Sequence, residues 1–323
     1  MDSTITAEIT SGQTIDASSV TVSATAADGS KGSAALVQSF VGSVGGIVSV
    51  SGAVADAIVG HEIIASANGT LDGDGNNTLA VSATDSSSVQ TFTFGGAIGA
   101  IAAGIAYSDS TKSSTVSASI GANSSATDFT GISVTGSDQG NVAAYALAAA
   151  GGIFSGDGAA ATALDMANVS AFLGHDSTIG YGAGGATINA SASPAAWADA
   201  QGYGASVGGS LGASVALATA EPTVTASVGD NDTATGDGPL AVAAVAIPGS
   251  TALTIKNPTT GLALASNGGC GVSYAACALT TAGNGGVLSR VRPRLRSTDR
   301  VRSPRTPRTA RTGSTAPPSS SPP

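Results

Sequence analysis

The sequence predicts an all-β protein, specifically a right-handed parallel β-helix or similar β-solenoid, and three observations support this. A pattern of roughly 55 residues recurs about five times. Segments with an apolar residue at every second position open and close each copy, and connectors rich in Gly, Asp and Asn separate them. A period of this size is typical of stacked units that bury their apolar faces against one another.

Each copy opens with an alternating segment. Apolar residues at positions i, i+2 and i+4 share one face of a strand, and Ser or Thr occupy the other face. The opening segments begin near Val20, Leu79, Ile132, Ile188 and Leu240, which lie 59, 53, 56 and 52 residues apart. We therefore expect these segments to stack with like residues in line.

A second alternating segment closes each copy, and glycine doublets lie between the two. The closing segments begin at Ile5, Ile63, Val116, Val169 and Val224, which precede the next opening segment by 15 to 19 residues. The doublets begin at Gly45, Gly95, Gly151 and Gly208. Alanine content alone would favour helix, but 45 glycines, each costing about 1 kcal/mol in a helix interior, favour strands.

Composition predicts a thin and regular interior. Hydrophobic residues make up 42% of the chain but aromatic residues only 4%, so a core of bulky side chains is not expected. If each copy formed two or three coils, the body would be a rod on the order of 50 to 70 Å long. A two-sheet sandwich explains the alternation equally well, but it gives no reason for near-equal copies.

Charge divides the chain into a body and a tail. Residues 1–289 hold three lysines against 20 acidic residues, whereas the remaining residues hold nine arginines against Asp299, so net charges of −17 and +8 give the total of −9. We predict a solenoid over residues 1–286 and a disordered Arg/Pro/Ser/Thr-rich tail over residues 287–323. The tail is either a basic arm that binds polyanions or a segment read in a foreign frame.

The sequence predicts neither a transmembrane segment nor a signal peptide. The longest apolar stretches are shorter than the ~20 residues that a spanning helix needs, and glycines interrupt them. The start, Met1-Asp-Ser-Thr, lacks the basic and apolar regions of a signal peptide. Because the first copy begins part-way through its pattern, we expect an upstream region to be missing.

Few residues suggest chemistry, and we predict no catalytic, cofactor or metal site. His61-Glu-Ile-Ile begins like a zinc-protease motif, but Ala65 stands where the second histidine belongs. We therefore expect His61 and His175 to occupy solvent-facing turns. Lysines appear isolated in sequence, and no Gly-x-Ser-x-Gly motif accompanies a histidine. Trp197 and Tyr203 are the aromatic candidates for sugar contact, although packing at a coil corner is favoured for both.

Two further questions remain open from the sequence. Alternate carboxylates in Asp72-Gly-Asp74-Gly resemble the start of a calcium loop, but position 83, where a bidentate acid is needed, is alanine. A simple turn is the alternative, as it is for the acidic turn at residues 230–237. Cys270 and Cys277 either form a small disulfide or remain inert thiols.

The pattern of Val-Ser-Ala strands, Gly-Gly middles and closures such as Ser119-Ile120-Gly121 and Phe172-Leu173-Gly174 resembles a family of bacterial surface proteins. These are the β-strand-repeat, leukotoxin-type filamentous adhesins and their filamentous-haemagglutinin-like relatives, which type V secretion exports. The likeness covers residues 1–286. The chain departs from the family because it matches neither the family's secretion domain nor its translocator barrel. It implies an exported or surface-exposed solenoid that projects or adheres, and it supplies no catalytic residue.

We therefore predict a non-enzymatic, adhesive fragment of a secreted or surface-exposed bacterial filamentous protein. Its partners would be a host or neighbouring-cell surface, including glycans, and a secretion partner encoded elsewhere, with no nucleic acid bound by the body. One alternative is a β-helical polysaccharide-degrading enzyme, which needs acids beside a lysine or arginine in a groove. Another is an ice-binding face built from pairs such as Thr91 and Thr93, which recur too irregularly for a flat array.

Overall fold

The computed structural model of the chain describes residues 2–27 and 34–246, and also the main chain of four short strands between residues 255 and 279. Every regular element in these residues is a β-strand. Among them, no helix is long and apolar enough to cross a membrane. The tail at 287–323 and the side chains of Cys270 and Cys277 lie outside the described residues, and so do the predictions made for them.

The strands belong to two curled sheets, and a third pairing joins only β17 and β18. Sheet A contains the long strands, and sheet B contains the opening strands together with short strands. The elements in chain order are β1 (Asp2–Ile9), β2 (Thr14–Asp16), β3 (Val20–Ala27), β4 (Ala35–Val44), β5 (Val48–Ala67), β6 (Thr70–Asp72), β7 (Thr78–Ser86), β8 (Ser88–Ile98), β9 (Ile101–Ile120), β10 (Ser125–Asp138), β11 (Asn141–Leu173), β12 (Thr178–Ala192), β13 (Ala195–Ala220), β14 (Thr223–Val228), β15 (Thr233–Gly236), β16 (Leu240–Ala246), β17 (Ile255–Lys256), β18 (Ala263–Leu264), β19 (Cys270–Val272) and β20 (Cys277–Leu279).

Successive copies of the pattern pair in parallel and in register. The closing segments align as the sequence predicts, with Ile5 opposite Ile63, Ile63 opposite Val116, and so on to Val224. Parallel pairing throughout the body excludes a sandwich of antiparallel hairpins and is compatible with a β-solenoid.

One opening segment is shifted from its predicted start. Ala186, and not Ile188, pairs with Ile132 and with Leu240, while Ile188 pairs with Val134. The opening strands therefore begin at residues 20, 79, 132, 186 and 240, which are spaced more evenly than predicted. The sequence misled because the alanine and the isoleucine both fit an alternating pattern.

Each copy forms one wide coil instead of two or three narrow ones. Val20 meets its equivalent, Leu79, on the neighbouring strand, so one full repeat separates adjacent rungs. Five such rungs at ~4.8 Å give a stack only about 20 Å tall. The predicted rod length is therefore wrong. The 20-residue strands β5 and β9 instead lengthen each coil perpendicular to the direction of stacking.

Within a coil, two regions can be distinguished. In the main core, the opening strands pack against the closing segments, and the buried side chains include Leu79, Ile63, Val134 and Phe129. In the second region, here called the arm, the chain runs outward along a strand such as β4 or β8, turns, and returns along β5 or β9. The buried apolar side chains in the interior of the arm are alanines except for three valines: Val59, Val89 and Val142.

The tip of the arm is a corner made by stacked glycines. Gly45 donates its amide to Ile98, and Gly99 donates its amide to Gly151, so Gly45 and Gly99 occupy equivalent places. A Cβ on Gly152 would collide with the Gly99 carbonyl, so the close approach requires glycine. The doublet at Gly95 lies instead within β8, four residues before the corner.

Candidate functional site

A cluster of charged side chains lies between the main core and the arm, where the opening strands end. Asp85 and Asp138 occupy adjacent rungs at the ends of β7 and β10, and apolar Ala26 and Ala192 occupy the rungs beyond them. In this row of paired residues, the charged side chains are therefore those of the two middle strands, β7 and β10.

The returning strands supply the other half of the cluster. Lys112 on β9 pairs directly with Asp165 on β11. On the outer sides of this pair, Val59 on β5 is opposite Lys112 and Ala220 on β13 is opposite Asp165. Four ionisable side chains thus meet in the two middle coils, and the flanking coils fill the same places with apolar groups.

Lys112 is the centre of the cluster. Its ammonium Nζ lies 2.7 Å from both carboxylate oxygens of Asp138 and 3.2 Å from Oδ2 of Asp85. The side chain is 0% exposed. Burial alone would lower the pKa of Lys112, but Asp138, Asp165 and Asp85 outweigh it and raise the pKa above its ordinary value.

Asp85 is held as an anion by a dense set of donors. Its Oδ1 accepts hydrogen bonds from the Ser87 amide at 2.9 Å and the Ser87 hydroxyl at 2.6 Å, and its Oδ2 accepts one from the Ser114 hydroxyl. Burial opposes ionisation, yet Lys112 and these donors lower the pKa of Asp85 below its usual value.

Asp138 and Asp165 have fewer donors. The Gly140 amide donates to Oδ1 of Asp138 at 2.9 Å, and burial raises the pKa of Asp138 although Lys112 opposes the shift. Neither oxygen of Asp165 accepts a well-formed hydrogen bond, and the Ala195 amide favours its anion only weakly. Burial therefore raises the pKa of Asp165 to about 8, so this carboxyl is largely protonated at neutral pH.

His61 is in this cluster and not in a solvent-facing turn, so that expectation is wrong. It is 8% exposed on β5, and its Nδ1 lies 3.2 Å from the Ser87 hydroxyl and 3.7 Å from Oδ1 of Asp85. His175 does lie in an exposed turn, 2.8 Å from the Asp176 carboxylate. The sequence signal for His61 was its odd-numbered position in β5, because the odd-numbered residues of this strand from Ser49 to Ala67 are all buried.

The prediction that the lysines are isolated is wrong for Lys112, which contacts Asp138 and Asp85. Lys112 and three aspartates are the combination that the polysaccharide-degrading alternative requires, but none of the four is more than 1% exposed. A polymeric substrate has no access to them in this conformation. A Cβ on Gly140 would overlap the Lys112 ammonium, which shows how closely the main chain covers the charge.

The acidic turns have the structure of simple turns. Oδ1 of Asp74 accepts the Asn76 amide at 2.9 Å, Gly75 adopts φ of +75°, and Asp72 accepts the Thr127 hydroxyl. Residue 83 is buried in the main core, away from solvent. In the part of the chain that the structure describes, no group of three His, Cys, Asp or Glu side chains could hold a metal ion.

The acidic turn at residues 230–237 contributes to stacking. Oδ1 of Asp232 accepts the Ser177 amide at 2.8 Å, and Asn231 donates to Asp176 of the adjacent coil at 3.1 Å. Asp237 lines a shallow, open groove of about 680 Å³ with Asp128 and Tyr181. This groove lies on sheet B and does not contain the charged cluster.

The two aromatic candidates behave differently. Trp197 is 5% exposed and packs with Phe92 and Tyr145, whose rings stack at 4.9 Å, which agrees with the packing interpretation. Tyr203 is exposed, and its hydroxyl donates to Gln201 at 2.8 Å. The structure therefore leaves only Tyr203 on the surface.

The outer face of the arm carries an apolar surface that the alternation rule did not predict. On β5 and β9, the serines at 49, 51, 108 and 110 point into the arm while the larger side chains between them point outward. We call the outward set the apolar ribbon; it comprises Val48, Val50, Val54, Ile58, Ile101, Ile105, Tyr107, Phe154, Leu211 and Val215. Four adjacent strands contribute to it, and the outward-facing pair Asp56 and Asp109 separates Ile58 from the rest of the ribbon.

Buried hydroxyls bond the two layers of the arm to each other. Thr91 on the outgoing strand contacts Ser108 at 2.7 Å and Ser110 at 2.8 Å on the returning strand, and Ser110 donates to the Ala143 carbonyl. Thr91 and Thr93 are therefore interior residues, so the ice-binding interpretation of this pair is wrong.

Comparisons with protein-family models, with curated proteins and with solved structures find no match for this chain.

Proposed function

We propose that the chain is a non-enzymatic segment of a secreted or surface-exposed bacterial filamentous protein, built as a β-solenoid of about five repeats. In this proposal the stacked coils are a scaffold, and the apolar ribbon is the surface that contacts a host or neighbouring cell. The repeat pattern and its resemblance to filamentous adhesins support the cellular setting, with export through a partner encoded elsewhere.

The apolar ribbon is the observation that carries the proposal. Soluble monomers rarely expose more than a few hundred Å² of contiguous apolar surface, and larger patches usually mark interaction sites. Leu211 is 72% exposed and Val54 64% exposed, so the ribbon is not a partly covered core. The charged cluster around Lys112, by contrast, is enclosed and cannot meet a partner, whereas the outer face of the arm can.

Glycans are a second class of partner within the same proposal. The groove beside Tyr181 presents an aromatic side chain together with the Asp128 and Asp237 carboxylates, which are groups suited to sugar hydroxyls. Binding there would be separate from binding at the ribbon, because the groove belongs to sheet B and the ribbon to sheet A.

A cell-binding assay with the full chain tests the proposal. We expect fluorescently labelled protein to bind bacterial or host cells, and the double variant Val54→Asp/Ile105→Asp to lose most of that binding. The matched control is Thr21→Asp/Ser23→Asp, which adds the same charge to exposed positions of β3. Equal binding by the two double variants, or no binding by the unaltered chain, would contradict the adhesive role.

A further inference from the structure

We propose that Lys112 and Asp138 condense into an intramolecular amide that covalently joins two neighbouring coils. The Lys112 amine and the Asp138 carboxyl are a nucleophile and an electrophile in contact, with Nζ 2.7 Å from both carboxyl oxygens. They belong to different sheets, since Lys112 is on β9 and Asp138 ends β10. This inference concerns the interior and goes beyond the proposed surface function.

The surroundings favour Asp138 over Asp85 as the acceptor. Asp85 is 3.2 Å from Nζ, and its oxygens already accept three hydrogen bonds from Ser87 and Ser114. Those donors keep it ionised, and a carboxylate anion is a poor electrophile. Asp138 accepts only the Gly140 amide besides Lys112, and that amide can stabilise negative charge on Oδ1 during attack.

The reaction balances without an oxidant or a cofactor. A proton moves from the ammonium to Oδ2 of Asp138, which leaves a neutral amine and a neutral carboxylic acid. The Nζ lone pair attacks Cγ, the C–N bond forms, and the carbonyl electron pair moves to Oδ1. The Cγ–Oδ2 bond then breaks, and Oδ2 leaves as water with a second proton from Nζ.

The second proton passes directly between the two reacting groups, because Nζ lies 2.7 Å from Oδ2 of Asp138. Asp165 is the strand neighbour of Lys112 and is 0% exposed, but neither of its oxygens has a well-formed hydrogen bond. Asp165 therefore transfers no proton in this scheme.

Burial supplies the driving force. Two charges enclosed away from water are costly even when paired, and condensation replaces them with a neutral amide. Holding the two groups in contact is equivalent to a very high local concentration, on the order of 10⁵ M or more for well-oriented pairs. Exclusion of solvent from residues that are 0% and 1% exposed also prevents hydrolysis of the product.

Mass spectrometry of the denatured full chain tests the proposal directly. The expected mass is lower than the sequence mass by one water molecule, and trypsin should fail to cleave after Lys112 because its side chain is acylated. Because both residues then lie in one tryptic peptide, residues 32–256, further digestion with chymotrypsin, which cleaves after Phe129, should release a branched peptide that joins the segments around Lys112 and Asp138. An unaltered mass with normal cleavage after Lys112 would overturn the proposal, whatever the variants do.

Variants identify the participants. Lys112→Arg and Asp138→Ala should each have the full mass of their own sequence, whereas Asp85→Asn and the exposed control Asp176→Asn should still lack one water. Asp165→Asn should also lack one water, because the Asp165 carboxyl hydrogen-bonds to neither reacting group. A link that survives Asp138→Ala but disappears in Asp85→Asn would refute Asp138 as the acceptor.

Discussion

The main core and the arm use the same alternating sequence pattern in opposite ways. In the main core, the large apolar residues of β3 and β7 point inward and the Ser and Thr residues point outward. In the arm, Ser49 and Ser51 are buried while Val48 and Val50 are exposed. The packing of the layers explains the difference, because the side chains buried between the arm's two layers are mostly Ala, Ser and Thr, with three valines.

The comparison teaches that side-chain volume, and not polarity alone, decides which face of a strand is buried. A hydroxyl can be buried at low net cost when a partner lies opposite, as Thr91 does for Ser108 and Ser110. The arm therefore buries mainly small residues of either kind between its layers, whereas β5 and β9 expose their large apolar side chains.

Removing volume from the main core should have the largest effect. Leu79→Ala takes atoms from a side chain that is 0% exposed between Val20 and Ile132, so we expect a loss of about 2–5 kcal/mol in the free energy of unfolding. Chemical denaturation measures it. Leu211→Ala on the apolar ribbon is the matched control and should change stability by less than about 0.5 kcal/mol; similar losses in both variants would remove the distinction between the regions.

Adding volume to the arm should have the next largest effect. Ala146 is 0% exposed between the two layers, so Ala146→Leu should destabilise the protein by about 1–3 kcal/mol through overpacking. The same substitution at exposed Ala213 is the control, and equilibrium unfolding in urea compares them. If Ala146→Leu were neutral, the arm would be wider than described and its small residues would need another explanation.

A pH titration of stability tests the boundary between the two regions. The pKa of Asp165 is about 8 in the folded protein and near 3.8 when unfolded, so between these values the folded state holds a proton that the unfolded state lacks. The free energy of unfolding should therefore fall as pH rises from about 4 to 8, by at most about 1.4 kcal/mol per pH unit for one proton.

Asp165→Asn should flatten that dependence, because the amide does not titrate. Asp85 contributes with the opposite sign: its pKa is lowered, so its stabilisation is lost only in acid, as pH falls below its ordinary value of 3.8 towards the folded pKa. Asp176→Asn, on the surface, is the control. A slope that is unchanged in Asp165→Asn would show that another group carries the proton.

The smallest effect on stability is expected on the apolar ribbon itself. Ile105 is about half exposed, so Ile105→Ser should change the free energy of unfolding by about 0.5 kcal/mol or less. Its retention time on a hydrophobic-interaction column should nevertheless decrease clearly. Thr111→Ser, also on β9, is the control for the column, and a large stability loss in Ile105→Ser would mean that the ribbon is part of a core.

The sequence predicts the pairing of the closing segments because five alternating segments recur with apolar residues at matching places. It does not predict the apolar ribbon. Alternation indicates two faces of a strand, but it does not say which face is buried when one carries small side chains and the other carries large ones. It also does not predict the meeting of Lys112 with Asp85 and Asp138, which are 26 to 27 residues away from it along the chain. Only the register of wide coils brings those residues together.

The short strands β19 and β20 run antiparallel to β13, opposite Trp197 and Leu217, whereas every earlier neighbour in the long sheet is parallel. Their direction matters because the unpaired N–H and C=O groups of an edge strand can hydrogen-bond to a strand of another molecule. With its main-chain groups occupied by a reversed segment at these points, the last long strand cannot recruit a further parallel turn there. The antiparallel pairing of β19 and β20 with β13 therefore limits the addition of further parallel strands at this edge of sheet A.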